Sequence, residues 1–293
     1  MTIRPELFPW FLRVAWVVLP LAAGPAYGSA LHPYSEPVRL AAVVLLWAGW
    51  AAVLVGTLVP HPLGLTALRL AAPAAAVAAV GAAITDRPSA LASAAAIAIT
   101  LLNLVLAMMP ITGLFYVNGA AYPNERRYLL RAPGPLLAGP LEVVWAVAVG
   151  APVAGVLLLA AKAWVAGVIV LVVGVPVAAI LARALHGLSR RWVVFVPAGL
   201  VLHDPISLLD PPLFQRRVIE TLRPAPVHSV ALDLTQRAPG LALELVLWEK
   251  VPMTLVKPGT IGGQSGASAL LRFTPTRPGQ VLREAQRRRV PVG

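Results

Sequence analysis

Leu141-Glu-Val-Val-Trp-Ala-Val-Ala-Val-Gly-Ala-Pro-Val-Ala-Gly-Val-Leu-Leu-Leu-Ala-Ala161 sets the architecture of the chain. A bilayer crossing needs about 20 mostly apolar residues. This stretch supplies them with one charged residue, Glu142, near its start. Lys162 alone separates it from a second such run, Ala163 to Leu185. The same criterion picks out four more runs upstream: Phe8 to Leu31, Val38 to Val59, Leu63 to Ile84 and Ala90 to Tyr116. Turn-formers punctuate them at His32-Pro33, Pro60-His61-Pro62, Asp86-Arg87-Pro88 and a Pro/Gly-rich loop from Asn118 to Pro140.

Six crossings account for the composition. Of 293 residues 58% are hydrophobic and 12% are charged, against roughly a quarter charged in an average soluble domain. That ratio excludes an ordinary water-soluble globule and a disordered chain. The absence of cysteine excludes disulfides, thiolate metal sites and cysteine nucleophiles. The net charge of +12 is spread: ten basic and five acidic residues precede His186, and fourteen and seven follow from there. Nucleic-acid binding would call for a basic face with interleaved aromatics or a known motif, and the sequence offers neither, so no nucleic-acid partner is expected. Only three basic residues are lysine. With the abundant Ala, Val, Gly and Pro, this suggests a GC-rich bacterial genome.

Lys and Arg in short loops set orientation. Arg4, Arg13, Arg69, Arg126, Arg127, Arg131, Arg183 and the tail fall on one side, and Arg39, Arg87 and Lys162 on the other. The richer side is expected to be cytoplasmic, with both termini inside a bacterial plasma membrane. The first run has a rival reading. Arg4, the apolar run and the small residues Ala26, Gly28 and Ala30 also resemble a cleavable signal peptide.

Inside the runs, Pro20, Pro25, Pro73, Pro110, Pro152 and Pro176 each remove a backbone hydrogen bond and kink a helix. Pumps and proton-coupled carriers place ionisable residues inside the bundle. Here Arg13, Arg69 and Glu142 fall near helix ends, and the polar pair well inside a helix is Thr100 and Asn103. Asn there reads as interhelical glue before it reads as a binding site. Ala71, Ala75, Ala79 and Ala83 repeat every four residues; Gly49 and Gly56, and Gly167 and Gly174, repeat every seven. Both are seams for close helix packing.

The loop Tyr122-Pro-Asn-Glu-Arg-Arg-Tyr-Leu-Leu-Arg131 carries Arg126, Arg127 and Arg131 among Tyr122, Tyr128, Leu129 and Leu130. Three readings stay open. It is a short amphipathic helix at the membrane surface, a positive-inside anchor, or a segment docked against the tail.

From His186 the periodicity becomes that of strands. Trp192 to Val196, a Pro197-Ala198-Gly199 turn and Leu200 to His203 read as a hairpin. Asp204-Pro205 and Asp210-Pro211-Pro212 break the chain. Arg217 to Leu222, Val230 to Thr235, Leu241 to Trp248, Met253 to Lys257 and Ala269 to Phe273 read as further strands. Pro278 opens a helix that ends near Arg287, Arg288 and Arg289, where cations favour the dipole. Arg191-Trp-Val-Val-Phe-Val-Pro-Ala-Gly-Leu-Val-Leu-His203 and Thr276-Arg-Pro-Gly-Gln-Val-Leu-Arg-Glu-Ala285 carry a resemblance to the bacterial pleckstrin-homology-like domains that follow transmembrane helices. It covers residues 190–290. The whole chain is also similar to multi-pass membrane proteins of actinobacteria, a likeness that implies no activity. About seven short strands closed by one helix in roughly 100 residues themselves read as a small β-barrel or sandwich with a capping helix, the shape that the pleckstrin-like resemblance also implies. Such folds host lipid, peptide and self-association roles alike.

The expected architecture is therefore a membrane all-α domain of six transmembrane helices, residues 1–185 with a cytoplasmic loop at 117–140, followed by a cytoplasmic all-β domain, residues 186–293. No catalytic constellation is found. Gly259-Thr-Ile-Gly-Gly-Gln-Ser-Gly-Ala-Ser268 lacks the lysine of a phosphate loop and the second glycine of a nucleophile elbow around Ser265, and reads as a flexible loop. His32, His61, His186, His203 and His228 show no metal-ligand spacing. Glu244 and Glu249 fall on the expected solvent face of a strand. The expected function is a non-enzymatic membrane scaffold without cofactor or metal. Its candidate contacts to anionic headgroups, a membrane-protein partner or a second copy are Arg126, Arg127, Arg131, Arg287, Arg288 and Arg289. The alternative is a small-solute transporter or channel subunit using the kinked helices and Asn103.

Overall fold

A computed structural model of the chain describes residues 7–85, 87–257 and 262–293. Arg4, Asp86 and Gly259 to Ile261 lie outside the described residues. The chain divides into two compact units. The first is helical and comprises residues up to Gly119 together with Val143–His186; the second is built of strands and comprises Ala120–Glu142 together with Gly187–Gly293.

Among the described residues, six helices are long and apolar enough to cross a membrane: α1 (Phe8–Leu31), α2 (Glu36–Leu58), α3 (Pro62–Ala83), α4 (Ala90–Met108), α6 (Pro140–Ala160) and α7 (Trp164–Leu188). They are 19 to 25 residues long. At about 1.5 Å per residue that spans a hydrocarbon core of about 30 Å. The expected fourth run is broken. Pro110 cannot continue the hydrogen-bond ladder of α4, so that helix stops at Met108 and a short helix, α5 (Pro110–Gly119), follows. Pro20, Pro25, Pro73, Pro152 and Pro176 stay within continuous helices.

α1, α3 and α4 bury the most surface, whereas α2, α6 and α7 turn nearly all their side chains outward. Those side chains are apolar, as a lipid-covered surface requires. On α3 the buried stripe is Leu65, Leu68, Ala72, Ala76, Ala79 and Ala82. Of the expected alanine seam only Ala79 is buried, because the 3.6-residue period carries a strict four-residue repeat off the contact face. The glycine seams hold better. A Cβ on Gly56 would meet Gly64 at 3.1 Å, and one on Gly167 or Gly174 would meet Leu159 or Ala151 below 3 Å; Gly49 faces open space.

Several polar groups in this unit make helix–helix bonds. Trp16 and Trp50 each donate an indole N–H to the other's carbonyl at 2.9 Å. Arg13 donates to the Thr57 carbonyl at 2.8 and 3.2 Å, at the C-terminal end of α2 where a cation is favoured. Tyr27 donates to Ala75 O, Trp145 to Leu70 O, and Thr66 Oγ1 shares a hydrogen with His186 Nδ1. Ala23, Ala26 and Ala30 are buried within an unbroken α1.

Among its described residues the strand unit has two four-stranded sheets, and not the single closed barrel that was one expectation. The first has the order β1-β2-β3-β4 and is antiparallel, with β1 Arg126–Leu129, β2 Trp192–Val196, β3 Gly199–His203 and β4 Leu213–Gln215. The second has the order β5-β7-β8-β6, with β5 Ile219–Pro224, β6 Leu232–Asp233, β7 Leu243–Leu255 and β8 Gln264–Phe273. Single bridges, Leu130 to Pro275 and Leu208 to Leu255, tie the sheets together. The C-terminal helix, α8, is Pro278–Arg287.

The interhelical loop is a strand. β1 pairs with β2 over Arg126↔Phe195, Arg127↔Val194, Tyr128↔Val193 and Leu129↔Trp192. The amphipathic-helix reading is thus corrected. Tyr128, Leu129 and Leu130 are buried in succession, and a sheet with two covered faces accepts such a run where a surface helix cannot. β1 and β2 flank the α6–α7 pair in sequence. Two further expectations change. Leu241–Trp248 and Met253–Lys257 merge into β7: Pro252 pairs with Ala267 on one side, and β5 reaches only Leu247 on the other, so the proline sits where no second ladder needs its N–H. Gln264–Ser268 is no loop but the first half of β8, with Ser265 opposite Thr254.

Candidate functional site

The hairpin register dictates the buried centre of the strand unit. Trp192 pairs with His203, so Arg191 and Asp204 are the next positions across. They form a bidentate ion pair, Nε to Oδ1 at 2.7 Å and Nη2 to Oδ2 at 2.8 Å, with side chains 1% and 0% exposed. Buried charges persist only when their remaining hydrogen-bonding capacity is filled. Here Arg191 Nη1 donates to the Arg131 carbonyl at 2.7 Å, Ser207 Oγ and the Ile206 N–H donate to Asp204, and Gln236 donates to Ser207 Oγ. The pair therefore joins the loop segment to the tail. From the sequence alone, Asp204-Pro205 reads as a chain break. The hairpin was its signal, because it sets Arg191 opposite Asp204.

His203 does not use Asp204. Its ring stacks on Trp192 with centroids 5.0 Å apart, and Nδ1 lies 2.7 Å from the Arg190 carbonyl. The Arg127 guanidinium lies 5.3 Å from the Trp192 ring centroid and bonds Glu125 at 3.0 Å.

One of the three cations of the loop, Arg126, and two of the three at the C-terminal end, Arg287 and Arg288, come together around Tyr128 and Glu284. Arg288 donates to the Asn124 carbonyl at 2.9 Å and to Glu284 at 2.8 Å. Arg287 is 79% exposed and lies 3.8 Å from Glu284. The Tyr128 hydroxyl is pushed up by burial and by the Glu284 charge, against the opposing pull of Arg126 and Arg287. Arg126, Arg287 and Arg289 are exposed. Arg131 is set apart from this surface: its N–H donates to Thr274 O and its guanidinium packs on Gly240.

Asn103 and Thr100 are both buried in α4. Asn103 donates to Ala15 O at 3.0 Å and Ile99 O at 2.9 Å, and Thr100 donates to Ala96 O. Asn103 thus bonds α4 to α1. Asn103→Leu is expected to lower bundle stability by about 1 kcal/mol, read as a lower melting temperature in detergent.

Glu244 is corrected from the solvent face to the interior, at 2% exposure. It accepts from Arg223 at 2.8 and 3.0 Å and from Ser229. Burial pushes its carboxyl up, but the hydrogen bonds of Ser229 and Arg223 and the charges of Arg223 and Arg272 outweigh that and hold it below the ordinary 4.5. A carboxylate depressed in the folded state stabilises above its unfolded pKa and loses that contribution as pH falls through the folded value. Stability of the strand unit is therefore expected to drop below about pH 4.5, with a shallower drop in Glu244→Gln, read by chemical denaturation across the acid range.

No protein-family model, no curated protein and no solved structure matches this chain.

Proposed function

We propose that this protein is a non-enzymatic scaffold of a bacterial cytoplasmic membrane, whose helical unit anchors a cytoplasmic strand unit that binds anionic headgroups or a protein partner. The observation that carries it is the convergence of Arg126, Arg287 and Arg288 around Tyr128, from segments some 160 residues apart. The excess of Lys and Arg on the side of Arg126, Arg127, Arg131, Arg183 and the tail supports a cytoplasmic placement of that unit and of both termini. The β2–β3 hairpin, the two four-stranded sheets and the C-terminal α8 support a pleckstrin-homology-like reading of it.

Each cation near an anionic surface contributes about 1 kcal/mol. Arg126→Gln, Arg287→Gln and Arg289→Gln combined are therefore expected to weaken capture of the detergent-solubilised protein by phosphatidylserine vesicles by about 100-fold. Neutral vesicles should capture neither form. Equal capture of wild type and triple variant by anionic vesicles would refute the headgroup reading. Crosslinking that returns a partner protein at Arg126 or Arg287 would then select the protein-binding arm.

A further inference from the structure

β4 is an edge of the first sheet: it pairs with β3 and, among the described residues, with no strand on its other side. The ladder fixes which of its backbone groups point outward. Phe214 stands opposite Leu200, and the flanking bonds run from Arg216 N–H to Ala198 O at 3.0 Å and from Leu202 N–H to Pro212 O at 3.3 Å. Antiparallel ladders alternate bonded and non-bonded pairs. Phe214 therefore turns its N–H and C=O to β3, and Leu213 and Gln215 turn theirs away. Such a row recruits a further strand, so edges are usually blunted by charge, proline or a cover. β7 is blunted in this way beyond the reach of β5, where Pro252 has no N–H to offer. Leu213–Gln215 carries neither charge nor proline.

There is room beside this edge. The Leu209 N–H still bonds Thr254 O of β7 at 2.9 Å, and β5 meets β7 again at Ile219 and Leu247. Between these two points Asp210-Pro211-Pro212 leads the chain away from β7 to its place beside β3. A cleft of about 210 Å³ opens there, lined by Leu213, Gln215 and Arg217 on one side and by Glu249, Lys250 and Pro252 on the other. A second, of about 300 Å³, shares Pro252 with it and reaches Asp210. There is free charge as well. Arg217 and Lys250 are exposed and form no ion pair among the described residues. The first cleft sets both against a single carboxylate, Glu249, and the exposed Arg216 adjoins it.

We propose that the outward edge of β4 receives an extended, acidic segment of a partner protein as a fifth strand of the first sheet. Strand addition draws its affinity from main-chain bonds and its selectivity from the side chains alongside. Here the main-chain bonds go to Leu213 and Gln215. Carboxylates of the added strand meet Arg217 and Lys250, and an apolar side chain covers Leu213, which is 43% exposed. The site deepens the protein-partner arm of the proposed function and rests on that reading.

The test pans the intact chain in neutral detergent against a displayed library of random peptides and measures synthetic copies of the enriched sequences. The diagnostic variant is Gln215→Pro. Gln215 has φ of −63°, the value proline imposes, and its N–H faces away from β3. The variant loses one outward donor and keeps the β3 ladder, so it should melt at or above wild type, which separates lost binding from lost folding. Enriched peptides are expected to be rich in Asp and Glu and to bind Gln215→Pro about ten-fold more weakly. Arg217→Gln with Lys250→Gln should lose about as much, a loss that high salt erases. Bound peptide should slow hydrogen exchange at the Leu213 and Gln215 amides. No enrichment over the library, equal affinity for Gln215→Pro, or unchanged exchange at both amides would overturn the site. Protection of those amides by phosphatidylserine vesicles and by no peptide would overturn the peptide as its occupant. A partner crosslinked at Arg126 while no peptide protects β4 counts against this edge alone. Peptide binding that persists in Arg126→Gln with Arg287→Gln, where vesicle capture and crosslinking both fail, supports the edge and counts against the basic surface alone.

Discussion

Asp204→Ala is expected to destabilise the strand unit by about 3–5 kcal/mol, because it leaves the Arg191 guanidinium buried without its counter-charge. That is a large share of the 5–15 kcal/mol a typical domain holds in total. The cost is not confined to one pair. Asp204 also accepts from Ser207 and Ile206, and Arg191 holds the Arg131 carbonyl of the loop segment. Released, Ser207 no longer positions Gln236, and β1 loses one of its ties to the tail. The expected observation is cleavage of Gly187–Gly293 by low protease in the detergent-solubilised variant, under conditions where wild type resists. The helical unit should stay intact, since its bonds lie elsewhere. Replacing both Arg191 and Asp204 with well-packed apolar residues should recover most of the loss, as buried ion pairs exchanged whole for apolar groups often do. Resistance of Asp204→Ala equal to wild type would show that the pair is not buried as described.

Gly134→Ala is expected to cost about 3 kcal/mol, at the upper end of overpacking effects. A Cβ there would lie 2.1 Å from the Arg237 carbonyl oxygen. That oxygen is backbone, and Gln236 and Arg237 are already held at φ of 54° and 56°, so it has little freedom to yield. The Gly134 N–H also bonds Gln236 O at 3.1 Å, a second tie between loop and tail that the methyl would pry open. Gly81→Ala is the control. Nothing lies within 4 Å of its Cβ position, and inside a helix alanine is favoured over glycine by up to about 1 kcal/mol. Thermal melts of the two variants should therefore move in opposite directions.

The crossing helices were legible because their signal is local: each run carries its own length and polarity. The β2–β3 hairpin and α8 were legible for the same reason, one from Pro197-Ala198-Gly199 between two short apolar runs, the other from Pro278 at its first turn. β1 was not. Arg126 to Leu129 is four residues with two adjacent cations, too short for period 2 to be told from period 3.6. Its partner, Val194 for Arg127, lies beyond two membrane crossings. Nothing near Arg127 announces a partner at that distance. The same holds for Glu244. Alternation along Leu241–Leu247 put it correctly on the face opposite the leucines, but the segment that bonds it there, through Ser229, lies outside the strands and gave no sign of where it returns. Of the candidate cations, Arg126, Arg287 and Arg289 are exposed, whereas Arg127, Arg131 and Arg288 are half-buried. Sequence could name the charges, and only the pairing of strands could sort them.

The most direct test of a domain made from both segments is a cross-strand disulfide. The chain has no cysteine, so Arg127→Cys with Val194→Cys introduces the only thiols. Paired residues of an antiparallel ladder stand about 4.5–5.5 Å apart at Cα, within the range a disulfide spans. In intact protein in membranes, mild oxidation should link the two positions in most molecules, read by mass spectrometry of the joined peptides. The control Arg127→Cys with Trp248→Cys, which the register keeps apart, should stay reduced. A linked control, or a membrane-inserted double variant that stays reduced at 127 and 194, would contradict the two-segment domain.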